Sequence, residues 1–229
     1  VRSEGSNKLM AADGSKIYSY NTSTHQNPYR YFDINGNFNY QHSTRRPGEN
    51  LTLSYMISTT NQTNNGSTLY SDMVNMPVPY TGILSDFSLD FIEHTFQFDW
   101  CRPFASIHTI NLGAKYIYRE NHSRTTQNYI DYDNQPTLDF THLTHVAAAY
   151  ADYRLRLGRF SLRGGLRYEF SRLKAEYTDG SRPSFASNLS DWVPNAAVSY
   201  DINDANSIKL SFGTRINRPG ISYLNPAVS

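Results

Sequence analysis

A single cysteine, Cys101, stands in the 229 residues, so no intrachain disulfide can form and the fold must be held by packing and hydrogen bonds. Near a strand end this residue reads as a small, inert packing group. No run approaches the roughly 20 apolar residues that a membrane-spanning helix needs. That absence leaves barrels open, because alternating strands hide their apolar face from any hydropathy window. The mean hydropathy of −0.59 is compatible with that. Charge is sparse at 18%, below the roughly 25% of soluble globular domains. Lys and Arg number 21 against 20 Asp and Glu, a net charge of +1, so no nucleic-acid partner is expected. Tryptophan is limited to 2 residues. No nucleophile elbow, phosphate loop or zinc spacing occurs, so no catalytic residue, cofactor or metal is expected. No helix-period stretch of useful length appears, and no linker divides the chain. No secretory leader opens it at Val1, and Asn225-Pro226-Ala227-Val228-Ser229 reads as loop. The expectation is an internal or trimmed piece.

What the chain does have is alternation. Ala147, Ala149, Ala151, Tyr153, Leu155 and Leu157 share one parity, which Phe160, Leu162, Gly164, Leu166, Tyr168 and Phe170 continue after a tight turn at Gly158. The opposite parity carries Asp152, Arg154, Arg156, Arg163, Arg167 and Glu169. Successive strand residues point to opposite faces, so one face is apolar and the other charged. Ile110, Leu112, Ala114, Tyr116 and Tyr118 form a third such row, with Ile117 out of step. Trp192, Pro194, Ala196, Val198, Tyr200 and Ile202 form a fourth, and Ile208, Leu210, Phe212, Thr214 and Ile216 a fifth. Tyrosine, at 18 residues, suits membrane–water interfaces. It also suits soluble sugar-binding β proteins.

Eight strands are predicted, at Tyr29–His42, Asn50–Asn61, Ser85–Trp100, Ile107–Glu120, Phe140–Leu157, Phe160–Tyr177, Asp191–Ile202 and Asn206–Asn217. A short ninth is predicted within Lys16–Thr24, the rest of residues 1–27 being polar loop. In Ser85–Trp100, the shift from Phe87, Leu89 and Phe91 to Ile92, His94, Phe96 and Phe98 predicts a bulge near Phe91-Ile92. Short connections (43–49, 101–106, 158–159, 203–205) alternate with long ones (62–84, 121–139, 178–190). That asymmetry is the pattern of outer-membrane barrels, whose long loops are extracellular. The fold class expected is all-β, an antiparallel transmembrane β-barrel, with residues 1–229 one barrel segment of about eight or nine strands. The longer strands should project beyond the membrane.

The tail Arg215-Ile216-Asn217-Arg218-Pro219-Gly220-Ile221-Ser222-Tyr223-Leu224-Asn225-Pro226 resembles a hallmark of the outer-membrane β-barrel family of TonB-dependent receptors common in Bacteroidetes. Tyr31-Phe32-Asp33-Ile34-Asn35-Gly36-Asn37-Phe38-Asn39-Tyr40 and Leu162-Arg163-Gly164-Gly165-Leu166-Arg167-Tyr168-Glu169 are similar to the same family. The resemblance implies a bacterial outer-membrane location and a larger, plugged barrel that imports a nutrient. It also implies partners: the surrounding lipid, a plug domain of the same parent chain, the TonB complex acting through a missing N-terminal part, and an unknown small ligand. Two rivals fit part of the pattern. A complete small eight-stranded barrel, structural or adhesive, would also fill its interior with charge. A soluble carbohydrate-binding β-sandwich would place the polar parity in water and the apolar parity in a core.

The inward basic row, Arg154, Arg156, Arg163, Arg167, Lys209 and Arg215 with Glu169, is the best functional constellation. Its plainer role is ion pairing inside the barrel or onto the plug; its sharper one is a positive wall for an anionic substrate. Tyr70, Tyr80, Tyr129, Tyr132 and Phe185 are expected in loops, as ligand contacts or loop packing. His142 and His145 fall on opposite strand faces, which argues against a shared metal. Asp131, Asp133 and Asp139 lack the glycine and closing Glu of a calcium hand and read as solvated loop. Asp201, Asn203, Asp204 and Asn206 read as turn formers.

Overall fold

Alternating sequence without helical periodicity leaves the backbone polar groups one outlet, the ladder between neighbouring strands. The computed structural model describes residues 2–10, 17–76, 78–133, 135–178, 180 and 183–217. They form β1 (Arg2–Met10), β2 (Ile17–Gln26), β3 (Arg30–Ser43), β4 (Asn50–Val74), β5 (Gly82–Phe104), β6 (His108–Ile130), β7 (Thr137–Leu157), β8 (Phe160–Tyr177), β9 (Phe185–Asn203) and β10 (Asn206–Gly213). All belong to one antiparallel sheet of order β1-β2-β4-β5-β6-β7-β8-β9-β10, with β3 also paired to β4.

β2 and β3 are two halves of one ribbon. β3 pairs with Asn50–Thr63 of β4 and β2 with Gly66–Val74 of the same strand. The ribbon breaks at Asn27-Pro28-Tyr29, where Pro28 has no N–H to give the ladder. Asn27 bridges the break, its backbone N–H donating to the Asn65 carbonyl at 3.1 Å and its side-chain amide to Asn65 Oδ1 at 2.9 Å. Counted as ribbons the sheet has nine members, within the expected range.

Three expectations need correction. Before Asn27 two strands, β1 and β2, pair antiparallel, where loop and one short strand are expected. The long connections are mostly strand: β4 runs 25 residues, and the gaps on that side shrink to 75–81, 131–136 and 178–184. The Asn-, Ser- and Thr-rich text of 62–68 reads as loop because both of its faces meet water. β5 nevertheless supplies ladder partners throughout, and β3 and β2 supply them on the other side at all but Asn64 and Asn65. Finally, β5 carries no bulge at Phe91-Ile92, since its pairing with β4 and β6 is unbroken. The apolar parity changes because the environment of the outer face changes at that height.

Pairing carries one face across the whole sheet. The cross-strand row Tyr40, Leu53, Phe98, Ala114, Ala149, Tyr168, Trp192 is outward, and the next row passes through Leu51, Trp100, Leu112, Ala151, Leu166, Pro194. Leu210 and Phe212 continue the face through Val198 and Ala196. The opposite face holds every buried strand side chain among the described residues, including Phe140, His142, Thr144, Val146, Ala148, Glu169, Ser171 and Ala175. A single-layered sheet crowds side chains only on its concave side, so this face is the inside of a curved wall. Ile117, out of step in sequence, faces inward beside Val146 and Thr95.

Candidate functional site: an inner wall behind a lipid belt

The outward face changes character along each strand. On β8 it runs Phe160, Leu162, Gly164, Leu166, Tyr168, Phe170 and then turns to Arg172, Lys174 and Glu176. On β6 it runs Ile110, Leu112, Ala114, Tyr116, Tyr118 and then Glu120, His122, Arg124. From Phe160 to Phe170 is about 33 Å of strand, or about 25 Å of height at a tilt of about 40°, the height of a lipid-facing band. Leu210, Phe212 and Trp192 are 72%, 64% and 64% exposed, which a soluble sandwich could not sustain.

Aromatic rings edge this belt above and below. The lower edge stacks Phe104 on His108 and His108 on Tyr153, and sets Phe160 against Tyr200 at 4.5 Å. The upper edge joins Tyr55 to His94 by a 2.9 Å hydrogen bond, Tyr116 to His145 by one of 2.8 Å, and Tyr168 to Trp192 at 4.8 Å. Amphipathic rings at both boundaries are what an interface selects. Above the upper edge the strands rise well beyond any bilayer, as their length predicts.

The inward face of the belt region is polar and tied together across strands. Tyr150 donates to Asp99 Oδ1, and Gln97 donates to the other oxygen of that carboxylate at 2.7 Å. Arg167 lies over the Tyr150 ring at 5.6 Å and pairs with the buried Glu169. Arg119 pairs with Glu93, and Arg163 with Asp152 at 2.7 Å. The basic residues named from sequence thus divide. Arg163 and Arg167 are engaged within the wall. Arg154, Arg156 and Lys209 face inward near the short turns, with no carboxylate at ion-pair distance among the described residues. Arg215 lies just past β10 and is exposed.

Four of the five aromatic candidates meet. At the long-loop end Tyr70 meets Tyr80 at 5.9 Å, Tyr80 meets Tyr129 at 4.5 Å, and Tyr129 meets Tyr132 at 6.3 Å. Tyr20 extends the ladder, edge-on to Tyr70 at 5.7 Å. Tyr70 and Tyr129 belong to strands rather than loops. Burial among the rings, then the neighbouring hydroxyls, push the Tyr70 hydroxyl above the ordinary tyrosine range. Phe185 stands apart, as the first residue of β9 opposite Ala175. Sequence reasoning missed Tyr20, because it lies in the short strand expected within Lys16–Thr24, about 50 residues from its partner Tyr70, and the Asp99–Tyr150 link, because its partners are 51 residues apart.

The remaining candidates have ordinary roles. His142 is buried inward beside Phe140, while His145 faces outward in the upper aromatic edge. Asp139 sits in β7 against His122 at 2.9 Å rather than in a loop, and Asp131 accepts from Thr81. Asn203 Oδ1 takes the Ala205 N–H and the Asn206 amide, each at 3.0 Å, closing the β9–β10 turn. Cys101 is half-buried near the end of β5. Residues 218–226 of the tail motif lie outside the described residues.

No curated protein sequence matches the chain. Solved structures similar to it include the ferric citrate transporter FecA in its unliganded form, at 11% identity and a TM-score of 0.45, covering 82% of this chain and 34% of that one. The alcaligin outer-membrane receptor FauA from Bordetella pertussis is similar at 16% identity and a TM-score of 0.42, covering 93% and 40%. BauA, the ferric preacinetobactin receptor from Acinetobacter baumannii, is similar at 16% identity and a TM-score of 0.47, covering 84% and 30%. The chain therefore spans less than half the length of each of these. The outer membrane protein beta-barrel family matches residues 42–229, most of the chain, and this protein belongs to that family, with its place in the bacterial outer membrane.

Proposed function

We propose that this chain is barrel wall of a TonB-dependent receptor that imports a nutrient, of the type common in Bacteroidetes. One observation carries the reading. Above a lipid belt of ordinary height the wall continues upward, and its inner side there bears the ladder Tyr20, Tyr70, Tyr80, Tyr129 and Tyr132. Edge-on and tilted rings with their hydroxyls, raised clear of the membrane at the strand ends, suit first capture of a ligand from outside. The polar inner wall below suits contact with a plug of the same parent chain. The tail and strand motifs of the sequence resemble this family and support the same reading. The import role calls for no catalytic step.

The test is direct. The full-length protein in nanodiscs is mixed with the periplasmic domain of TonB from the same organism and assayed by co-purification, and growth on candidate nutrients is compared with and without TonB. TonB binding together with TonB-dependent growth supports the reading. A protein that neither binds TonB nor needs it sinks the reading in favour of a structural or adhesive barrel.

A further inference from the structure

We propose that the inner wall near the short turns holds an oxyanion-binding site built by Arg154, Arg156 and Lys209; this rests on the reading that the polar face lines a lumen. The register makes the cluster. Arg156, Ser161, Ser199 and Lys209 stand in one cross-strand row, and Arg154, Arg163, Ala197 and Ser211 in the next. Directly opposed side chains in such rows are about 5 Å apart at Cβ, so Arg154 and Arg163 face each other as like charges. Arg163 escapes by turning to Asp152, its Nε meeting both carboxylate oxygens at 2.9 and 2.7 Å. Arg154 has no such outlet, nor have Arg156 and Lys209, among the described residues. The nearest inward carboxylate on β9, Asp201, lies one row further toward the turn and makes no ion pair among the described residues.

Elsewhere the wall pairs Arg119 with Glu93, Arg163 with Asp152 and Arg167 with Glu169 and leaves the lone inward Lys115 without an ion pair among the described residues; Arg154, Arg156 and Lys209 instead stand unpaired together. The cluster coincides with a space. Small side chains at Ser161, Ala197, Ser199 and Ser211 leave a depression of about 450 Å³, with the three cations around it. Two guanidinium forks, one ammonium and serine hydroxyls are donors matched to a carboxylate or phosphate. Uncompensated charges over a low-dielectric wall concentrate such an anion. The oxyanion has two possible sources, a free solute or an acidic side chain of a segment filling the lumen.

The full-length protein is titrated with inorganic phosphate at constant ionic strength, with thermal unfolding in nanodiscs as readout. It is compared with Arg154→Gln/Arg156→Gln/Lys209→Gln and with the charge-preserving Arg154→Lys/Arg156→Lys/Lys209→Arg. A saturable phosphate-dependent rise in Tm supports a free anion when the Gln variant loses it and the charge-preserving variant keeps it. Each lost donor should weaken half-saturation roughly tenfold, the size of one charge-assisted hydrogen bond. If phosphate has no effect on the parent but the Gln variant exposes a lumen segment to protease roughly tenfold faster, and charge restores protection, the anion is a carboxylate of that segment. Neither response in a variant that still shows heat-modifiable mobility overturns the site. Arg156→Gln alone replaces the triple change if the latter does not fold. TonB binding is scored separately, so failure of the receptor reading is not confused with failure of the site.

Discussion

The ring of Tyr150 lies across the bare backbone of Gly113, its cross-strand partner, and reaches over β6 to hydrogen-bond Asp99 on β5. Any Cβ at position 113 would collide with that ring. This one contact ties three strands of the inner wall, and Arg167 roofs it. Gly113→Ala should therefore expel the ring and cost about 1–3 kcal/mol, as overpacking does. Tyr150→Phe keeps the ring in place, and Asp99 keeps its bond from Gln97, so it should cost less. Refolding of the full-length protein into lipid vesicles would rank the two; a harmless Gly113→Ala would contradict the geometry.

The faces can be tested by charge. Leu112, Leu166, Val198 and Leu210 share the outward side, while Asn39 points inward beside Ser54. Arg at Leu166 should cost roughly 2–4 kcal/mol of barrel stability near the midplane, and Arg at Asn39 much less. Equal costs at the two positions would reject the register.

Much of this was legible in sequence, and the limits have physical causes. Period-2 alternation exposed the belt on β6 to β10 because lipid on one side and water on the other force opposite chemistry on successive residues. That signal fades where a wall stands in water on both sides. The Gln62–Thr68 stretch of β4 thus looked like loop, and β5 appeared to bulge where its outer face merely leaves the lipid. The inner basic row was visible as a row. Which cations are neutralised was not, since Arg163 meets Asp152 and Arg119 meets Glu93 only once the register is known. The tyrosine ladder gathers rings from β2, β4, β6 and two loops, a convergence that no local pattern carries.

The turn between β3 and β4 gives a pH prediction. Glu49 takes a 2.7 Å hydrogen bond from Thr44 and one of 3.3 Å from the Trp100 indole, with Arg102 Nε at 3.9 Å. The Thr44 bond first, then the Trp100 bond and the Arg102 charge, hold its carboxyl below the usual range against a smaller opposing effect of burial. A depressed folded-state pKa means that the contribution is present above the unfolded value and is lost as pH falls through the folded one. In a Trp192→Phe background, Trp100 fluorescence should stay constant down through the ordinary carboxylate range and change only below it. Glu49→Gln should abolish that acid transition. A transition at the ordinary glutamate value would remove the assigned cause.

The height of the wall offers the last test. Thr63 on β4 and Arg124 on β6 face outward in one cross-strand row through Ser88, well above the aromatic edge at Tyr55, His94 and Tyr118. Leu53 and Leu112 face outward within the belt. If the long strands rise beyond the membrane, single cysteines at positions 63 and 124 of the intact parent should react on whole cells with a membrane-impermeant maleimide. The background is Cys101→Ser. Cysteines at 53 and 112 should stay unlabelled by that reagent and react with a lipid-soluble one, because hydrocarbon excludes the charged probe. Rigidity separates this from a loop: with β4 paired to β5 throughout and to β3 or β2 at all but Asn64 and Asn65, amide exchange across 62–68 should be slow, as in a ladder, while Asn75, Met76 and Val78 exchange fast. Fast exchange at 62–68 would return that stretch to loop and leave Tyr70 without the strand that aims it.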